Sequence, residues 1–178
     1  MYSVPLLFAA ALFLGERTMD ITIKKLTAEE YPEAYELAWE VFTEYEAPLY
    51  PKRGADSFHE FLYSGEIEKR YHMGLYDMYI CCADGKPAAV GSIRDGSHLS
   101  LLFTRTEFQR KGLASMLVRK LAEDMREKGE DIMTVNASPY GVPFYKAIGF
   151  LPVGMESMTD GIISRSPSGF SRSCARAR

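Results

Sequence analysis

Cysteine is scarce in this chain. Of 178 residues only three are cysteine: the neighbours Cys81 and Cys82, and one in a polar tail. Adjacent cysteines pair poorly, so a disulfide framework is excluded and a reducing, cytoplasmic setting is expected. Histidine is equally sparse. His59, His72 and His98 lie far apart, no Cys/His group has metal-ligand spacing, and no metal is expected. Long apolar runs are also wanting: Val4 to Leu14 extends over eleven residues, too few to span a bilayer, and no basic residue precedes it. That run resembles the core of a signal peptide, yet Met19-Asp20-Ile21-Thr22-Ile23 reads as the natural start of a first strand. Residues 1–18 are therefore read as an apolar N-terminal extension from an early start codon, with secretion as the alternative.

Two nucleotide-binding turns are missing as well. Neither G-x-G-x-x-G nor G-x-x-x-x-G-K-[ST] occurs, which removes a dinucleotide oxidoreductase and a P-loop nucleotidase. Nor is there an excess of positive charge in the body of the chain. Residues 19–164 carry 16 basic and 23 acidic side chains, a balance of −7, whereas the tail contributes +4. An acidic body argues against nucleic-acid binding and suits a cationic or amine-bearing partner. The tail, 164–178, holds five serines and four arginines without an acidic residue, and is expected to be disordered because it has no apolar face to bury.

What is present is enough for one domain, taken as residues 19–163. A hydrophobic content of 47% in 178 residues allows a sizeable core but not two domains and linkers. Ile21 to Lys25 alternates as a strand. Thr27-Ala28-Glu29-Glu30 is a capping box, followed by Ala34, Leu37, Ala38, Val41, Phe42 and Tyr45 on one helical face. Pro48 and Pro51 interrupt that helix, and a weaker helical stretch runs from about Ser57 to Glu66. Tyr76 to Ala83 and Pro87 to Arg94 flank Asp84-Gly85, a dipeptide suited to a type I′ hairpin.

The richest stretch runs from Phe103 to Phe150. His98 to Phe103 can form a strand. The turn Gln109-Arg110-Lys111-Gly112-Leu113-Ala114 follows, and Ala114, Leu117, Val118, Leu121, Ala122 and Met125 repeat at helical spacing. A second strand, Asp131 to Ala137, completes a βαβ unit. Pro143 can then open a short helix and Gly149 close it. A helix that starts on a glycine turn offers unpartnered N–H groups and the positive end of its dipole, a setting for a pyrophosphate to which Arg110 and Lys111 add charge. Taken alone, such a turn is more often an ordinary loop with two solvated basic residues.

The turn and the later Phe144-Tyr145-Lys146-Ala147-Ile148-Gly149-Phe150 together resemble the GCN5-related N-acetyltransferase (GNAT) family, over roughly Ile21 to Ile163. The resemblance implies an α/β fold, the acyl-CoA N-acyltransferase fold, whose mixed central sheet joins an antiparallel N-terminal meander to the βαβ cofactor-binding unit. It implies transfer of an acetyl group from acetyl-CoA to a primary amine of a small molecule or peptide by direct attack, and allows a homodimer. By the same resemblance the strands at 98–103 and 131–137 splay apart around the pantetheine arm. Leu102, Phe103 and Thr104 would meet that arm and Gln109, Arg110, Lys111, Gly112, Leu113 and Ala114 the pyrophosphate. Asn136 or Ser138 would contact the donor, and Tyr145 would protonate the leaving thiolate. His98 and Glu107 are conceivable bases, each better explained as structural or solvated, so no base is assigned. Tyr45, Tyr50, Phe58 and Phe61 could meet the acceptor, although core packing is the better reading. The competing class is a non-catalytic acyl-CoA-binding or regulatory module on the same fold.

Overall fold

The computed structural model describes residues 19–152, 156–159, 162–165 and 170–173. Strands β1 (Ile21–Lys25), β2 (Tyr76–Ala83), β3 (Lys86–Arg94) and β4 (His98–Thr104) form the antiparallel meander, and β5 (Ile132–Val135) joins β4 in parallel. Helix α1 covers Tyr31–Tyr45, α2 Lys52–Tyr63, α3 Glu66–His72, α4 Leu113–Glu127 and α5 Val142–Ala147. The hairpin between β2 and β3 turns on Asp84 and Gly85, both at positive φ (49° and 76°), as the type I′ reading requires. Among the described residues no helix is long and apolar enough to cross a membrane, and no cluster of His, Cys, Asp or Glu could hold a metal ion.

Period-2 alternation along β2 divides the core. Tyr79, Cys81 and Ala83 face a cluster with Leu117, Val118, Leu121 and Met125 of α4; Tyr76, Met78 and Ile80 face one with Leu37, Ala38, Val41 and Phe42 of α1. The sheet is thus sandwiched between α4 and α5 on one side and α1 to α3 on the other. The adjacent thiols of Cys81 and Cys82 are both free.

Two local differences from the sequence reading have plain causes. The single weak helical stretch is in fact α2 and α3, separated at Gly65, whose φ of +78° no helix accommodates, and α2 starts directly after Pro51, which a helix tolerates at its entry. The tail differs more. Strands β6 (Leu151–Pro152), β7 (Glu156–Thr159), β8 (Ile162–Arg165) and β9 (Phe170–Ser173) follow α5; β7 pairs with β8, and β9 lies antiparallel between β5 and β6. Residues 164–165 and 170–173 are therefore strand where a disordered tail from 164 was expected. Composition speaks only for side-chain burial, whereas the open edge of β5 offers main-chain N–H and C=O groups that any extended segment can pair with. The apolar stretch 1–18 lies outside the described residues.

One irregularity decides where the site opens. Along β3 and β4, Ser92 pairs with Leu101 but Ile93 with Leu99, leaving Ser100 as an extra residue, a β-bulge. The bulge flips the side-chain alternation: Leu99 packs in the α4 cluster, Leu101 and Phe103 in the α1 cluster. Buried Ser92 sustains it, its Oγ accepting the Leu101 N–H at 3.0 Å and sharing a hydrogen bond with the Tyr76 hydroxyl at 2.8 Å. On its other side β4 pairs with β5 only at His98 and Leu99. From the bulge onward the two parallel strands diverge.

Candidate active site

A cavity of about 960 Å³ fills the gap that the divergence leaves. It is walled by β4 and β5, the turn before α4, the end of α1, the middle of α2, and the approach to α5. Leu102, Phe103 and Thr104 line it from β4; Gln109, Arg110, Gly112, Leu113 and Ala114 from the turn; Asn136, Ser138 and Tyr145 from beyond β5. Of the residues expected to meet the donor, Lys111 alone does not line it. Its ammonium instead sits over the ring of Phe108, 5.3 Å from the centroid.

The turn is built from its main chain. Gly112 has φ +84° and Arg110 φ +60°, two left-handed residues that curl the backbone before α4. Among the described residues no backbone carbonyl receives the N–H groups from Arg110 through Ser115, whereas the Met116 N–H already reaches the Gly112 oxygen at 3.0 Å. Those amides, at the positive end of a fifteen-residue helix, are suited to an anion. Gln109 braces the turn by donating from Nε2 to the Thr104 carbonyl at 3.2 Å. Thr104 Oγ1 is buried with no hydrogen-bond partner among the described residues, an orphaned polar atom on the cavity wall.

Tyr145 lies deeper. Its ring packs edge-on between Phe144 and Phe150, with centroids 5.3 Å and 5.4 Å away. Burial, with the negative field of Glu46 adding to it, pushes the phenol well above its ordinary pKa and keeps it a hydrogen-bond donor at neutral pH. Gly141, one helical turn earlier, leaves room for the ring: a Cβ there would stand 3.1 Å from Tyr145 Cε2.

Glu46 is the residue that sequence reasoning missed. It follows α1, its N–H capping the helix by donating to Phe42 O at 2.9 Å, and it lines the cavity. Burial pushes its carboxyl up to about 7, against a hydrogen bond with Ser138 that pulls it down. The Ser138 hydroxyl also interacts with the Tyr50 phenol and accepts the Gly141 N–H at 3.2 Å. Ser138 thus links the carboxylate to the α5 approach as well as facing the cavity. A signal for Glu46 was present. A carboxylate at a helix C-terminus opposes the dipole, and the last turn of α1 carries no basic residue to offset it. An acidic residue so placed, between Tyr45 and Tyr50, invites a cation.

The aromatic candidates of the first half pack in the core and also reach the cavity wall. Phe58 stacks on Phe42 (centroids 4.2 Å apart) and leans on Phe103 (5.7 Å), yet Phe58, Phe61 and Tyr50 all face the cavity. Tyr45 stacks on Tyr140 at 5.0 Å, and the Tyr140 hydroxyl donates to Gln109 Oε1 at 3.4 Å, tying α1 and the α5 approach to the α4 turn. Of the two bases considered, His98 lines the far end of the cavity, sharing a 2.8 Å hydrogen bond with Thr134 Oγ1; burial, with Arg94 adding, pulls its imidazole down to about 4. Glu107 is not part of the wall.

Comparison with known proteins shows the family and agrees with the fold. The family model described as an acetyltransferase (GNAT) domain matches residues 46–164. No curated protein matches the chain in sequence. Among solved structures, a GCN5-related N-acetyltransferase from Rhodopseudomonas palustris is similar over 89% of this chain and 99% of its own, at 15% identity and a TM-score of 0.70. The PaiA N-acetyltransferase of Thermoplasma acidophilum, solved with coenzyme A, is similar over 87% and 99%, at 20% identity and a TM-score of 0.68. The ribosomal-protein-S18-alanine N-acetyltransferase of Escherichia coli is similar over 89% and 97%, at 18% identity and a TM-score of 0.61. At these identities the likeness is one of fold.

Proposed function

This chain belongs to the GNAT acetyltransferase family, and from that premise we propose that it transfers an acetyl group from acetyl-CoA to a primary amine by direct attack. The observation that carries the reading is the joining of two features at one cavity: the amides from Arg110 through Ser115, which no backbone carbonyl receives among the described residues, and the buried phenol of Tyr145. The first suits a diphosphate and the second a thiolate leaving group. That the Thermoplasma neighbour holds coenzyme A supports the same donor here.

In this reading the diphosphate takes the main-chain amides of the Gln109 to Ala114 turn, and Arg110 and Lys111 supply diffuse positive charge. The pantetheine arm lies along Leu102, Phe103 and Thr104, where β4 has left β5, with Asn136 and Ser138 on the opposite wall. The amine nitrogen attacks the thioester carbonyl carbon, forming a C–N bond and a tetrahedral oxyanion. Collapse breaks the C–S bond, and the Tyr145 hydroxyl gives its proton to the departing sulfur. The amide nitrogen then returns a proton to the Tyr145 phenolate, so that amine and acetyl-CoA become amide and CoA thiol with the enzyme restored.

Thiol release from acetyl-CoA in the presence of an amine panel tests the proposal. Tyr145→Phe is expected to lower kcat by roughly ten- to a thousandfold, the usual contribution of one acid catalyst, with CoA affinity by calorimetry unchanged. Undiminished kcat would remove Tyr145 from the chemistry. Cofactor-dependent thermal stabilisation without any thiol appearing would point to a pure acyl-CoA-binding module.

A further inference from the structure

Resting on the acetyltransferase reading above, we propose that Glu46 receives the acceptor's ammonium group and takes its proton, and that the acceptor is a primary amine on a compact, flat apolar body, such as an arylalkylamine. Three independent features converge on this position. Glu46 follows the last residue of α1, so that its carboxylate and the negative end of the helix dipole act on the same point of the cavity. The neighbouring walls are aromatic: Phe42, Tyr50, Phe58, Phe61 and Phe103 form a continuous surface, with Phe42 and Phe58 stacked at 4.2 Å. Finally, Ser138 holds the carboxyl by a hydrogen bond and is itself fixed by the Gly141 N–H, so the group is anchored on the side that leads to Tyr145.

Aromatic faces attract an alkylammonium through their quadrupoles and shelter an apolar body from water. One carboxylate in an apolar wall neutralises one positive charge. A polyamine or aminoglycoside would bring further ammonium groups to a wall in which Glu46 is the one carboxylate among the described residues, a costly desolvation. Specificity by exclusion follows directly from the wall composition.

The proton balance is simple. The ammonium gives one proton to the Glu46 carboxylate and becomes a neutral nucleophile; the new amide nitrogen passes a second to Tyr145, which has protonated the sulfur. The proton on Glu46 is then lost to water, so that ammonium plus acetyl-CoA yields amide, CoA thiol and one proton. Burial sets the Glu46 carboxyl near 7, a base strong enough to work at neutral pH. The titratable groups facing it are the phenols of Tyr50, Tyr140 and Tyr145, all pushed upward by burial, with Arg110 beside Tyr140. None of these changes charge near neutrality, so a single ionisation should govern the ascending limb of the pH profile.

The test compares wild type with Glu46→Gln, Glu46→Asp and Phe58→Ala. Phenethylamine, spermidine, an aminoglycoside and ethylamine serve as acceptors, with CoA binding followed by calorimetry. Glu46→Gln is expected to lower kcat/KM for phenethylamine about a hundredfold and to abolish the ascending limb near pH 7; Glu46→Asp should restore part of both. Phe58→Ala should raise KM for phenethylamine about tenfold and that for ethylamine by a smaller factor. Retention of rate and pH limb in Glu46→Gln, or a higher kcat/KM for spermidine or the aminoglycoside than for phenethylamine, would overturn the proposal even with donor chemistry intact. Acceptor binding is also read without the donor. Trp39, the single tryptophan, stacks on Phe42 and Phe58 (5.8 Å and 6.4 Å), so phenethylamine should quench its fluorescence in wild type and not in Glu46→Gln. Loss of CoA binding in wild type would therefore defeat the donor reading separately, whereas absence of quenching would defeat this one.

Discussion

The two halves of the cavity are made of different material. The half at the α4 turn is main chain: left-handed Arg110 and Gly112, the amides through Ser115, and the edge of β4 beyond its bulge. The half against α1 and α2 is side chain, a carboxyl from the end of α1, rings from α1, α2 and β4, and a hydroxyl from the segment after β5. A backbone receptor accepts one charged group common to all donors and tolerates almost any side chain along its path. A side-chain receptor is rebuilt residue by residue and so selects the acceptor. The division predicts that substitutions will separate cleanly: donor parameters move with the turn, acceptor parameters with the rings, and kcat with Tyr145, which stands where the halves meet.

The sharpest way to break that division is at the joint. Gly141 has an ordinary φ, so alanine there meets no backbone strain, but its Cβ would approach Tyr145 Cε2 to 3.1 Å and Ser138 Oγ to 3.5 Å. The ring must yield by a few tenths of an ångström. Gly141→Ala is expected to lower kcat roughly three- to thirtyfold, since small displacements of a catalytic group are costly, while calorimetric CoA affinity stays constant. An unchanged kcat in Gly141→Ala beside a crippled Tyr145→Phe would mean that the phenol tolerates displacement and that the joint is loose.

A smaller effect sharpens the donor side. At Gly112 the case is reversed: nothing lies within 4 Å of an added Cβ, but φ is +84°. Gly112→Ala therefore suffers strain without collision, about 1–2 kcal/mol for an L-residue in the left-handed region, relieved by turning the amides away from their common focus. KM for acetyl-CoA should rise about three- to tenfold, in line with roughly 1 kcal/mol, with KM for the acceptor held. Equal increases in both would show that the halves are mechanically coupled through the Tyr45–Tyr140 stack.

The same contrast explains what could be read in the sequence. The meander, α4 and the short helix carrying Tyr145 follow from alternation, helical spacing and turn residues, all local signals. The turn before α4 was legible because its backbone needs a left-handed residue at a fixed place, and Gly112 marks it. Glu46 left a weaker mark, the lack of a basic residue in the last turn of α1, and was overlooked because Ser138 and Tyr145, some ninety residues further on, come near it only in the fold. The bulge at Ser100 was equally hidden: His98 to Phe103 reads as a strand either way, and only the pairing of Ser92 with Leu101 reveals the extra residue. Strand β9 escaped for a related reason, since its partner is the main-chain edge of β5 and no side-chain pattern announces it.

The smallest expected effect concerns His98, at the end of the cavity where β4 and β5 are still paired. With its imidazole held down near 4 by burial, it is neutral at working pH and has too little proton affinity to serve an amine. His98→Gln should accordingly leave kcat/KM at neutral pH within about twofold of wild type, far less than expected for Glu46→Gln. Its influence lies in stability. Between about pH 6.5 and 4 the unfolded chain takes up a proton here that the folded chain refuses, so this group makes stability fall as pH falls through that window and adds no slope above it. Denaturation midpoints of wild type and His98→Gln, compared at neutral pH and at about pH 5, should show wild type losing more stability on acidification than the variant does. Parallel losses would mean that the imidazole protonates freely in the fold, and a large fall in turnover would reassign the base from the acceptor half to the closed end of the strands.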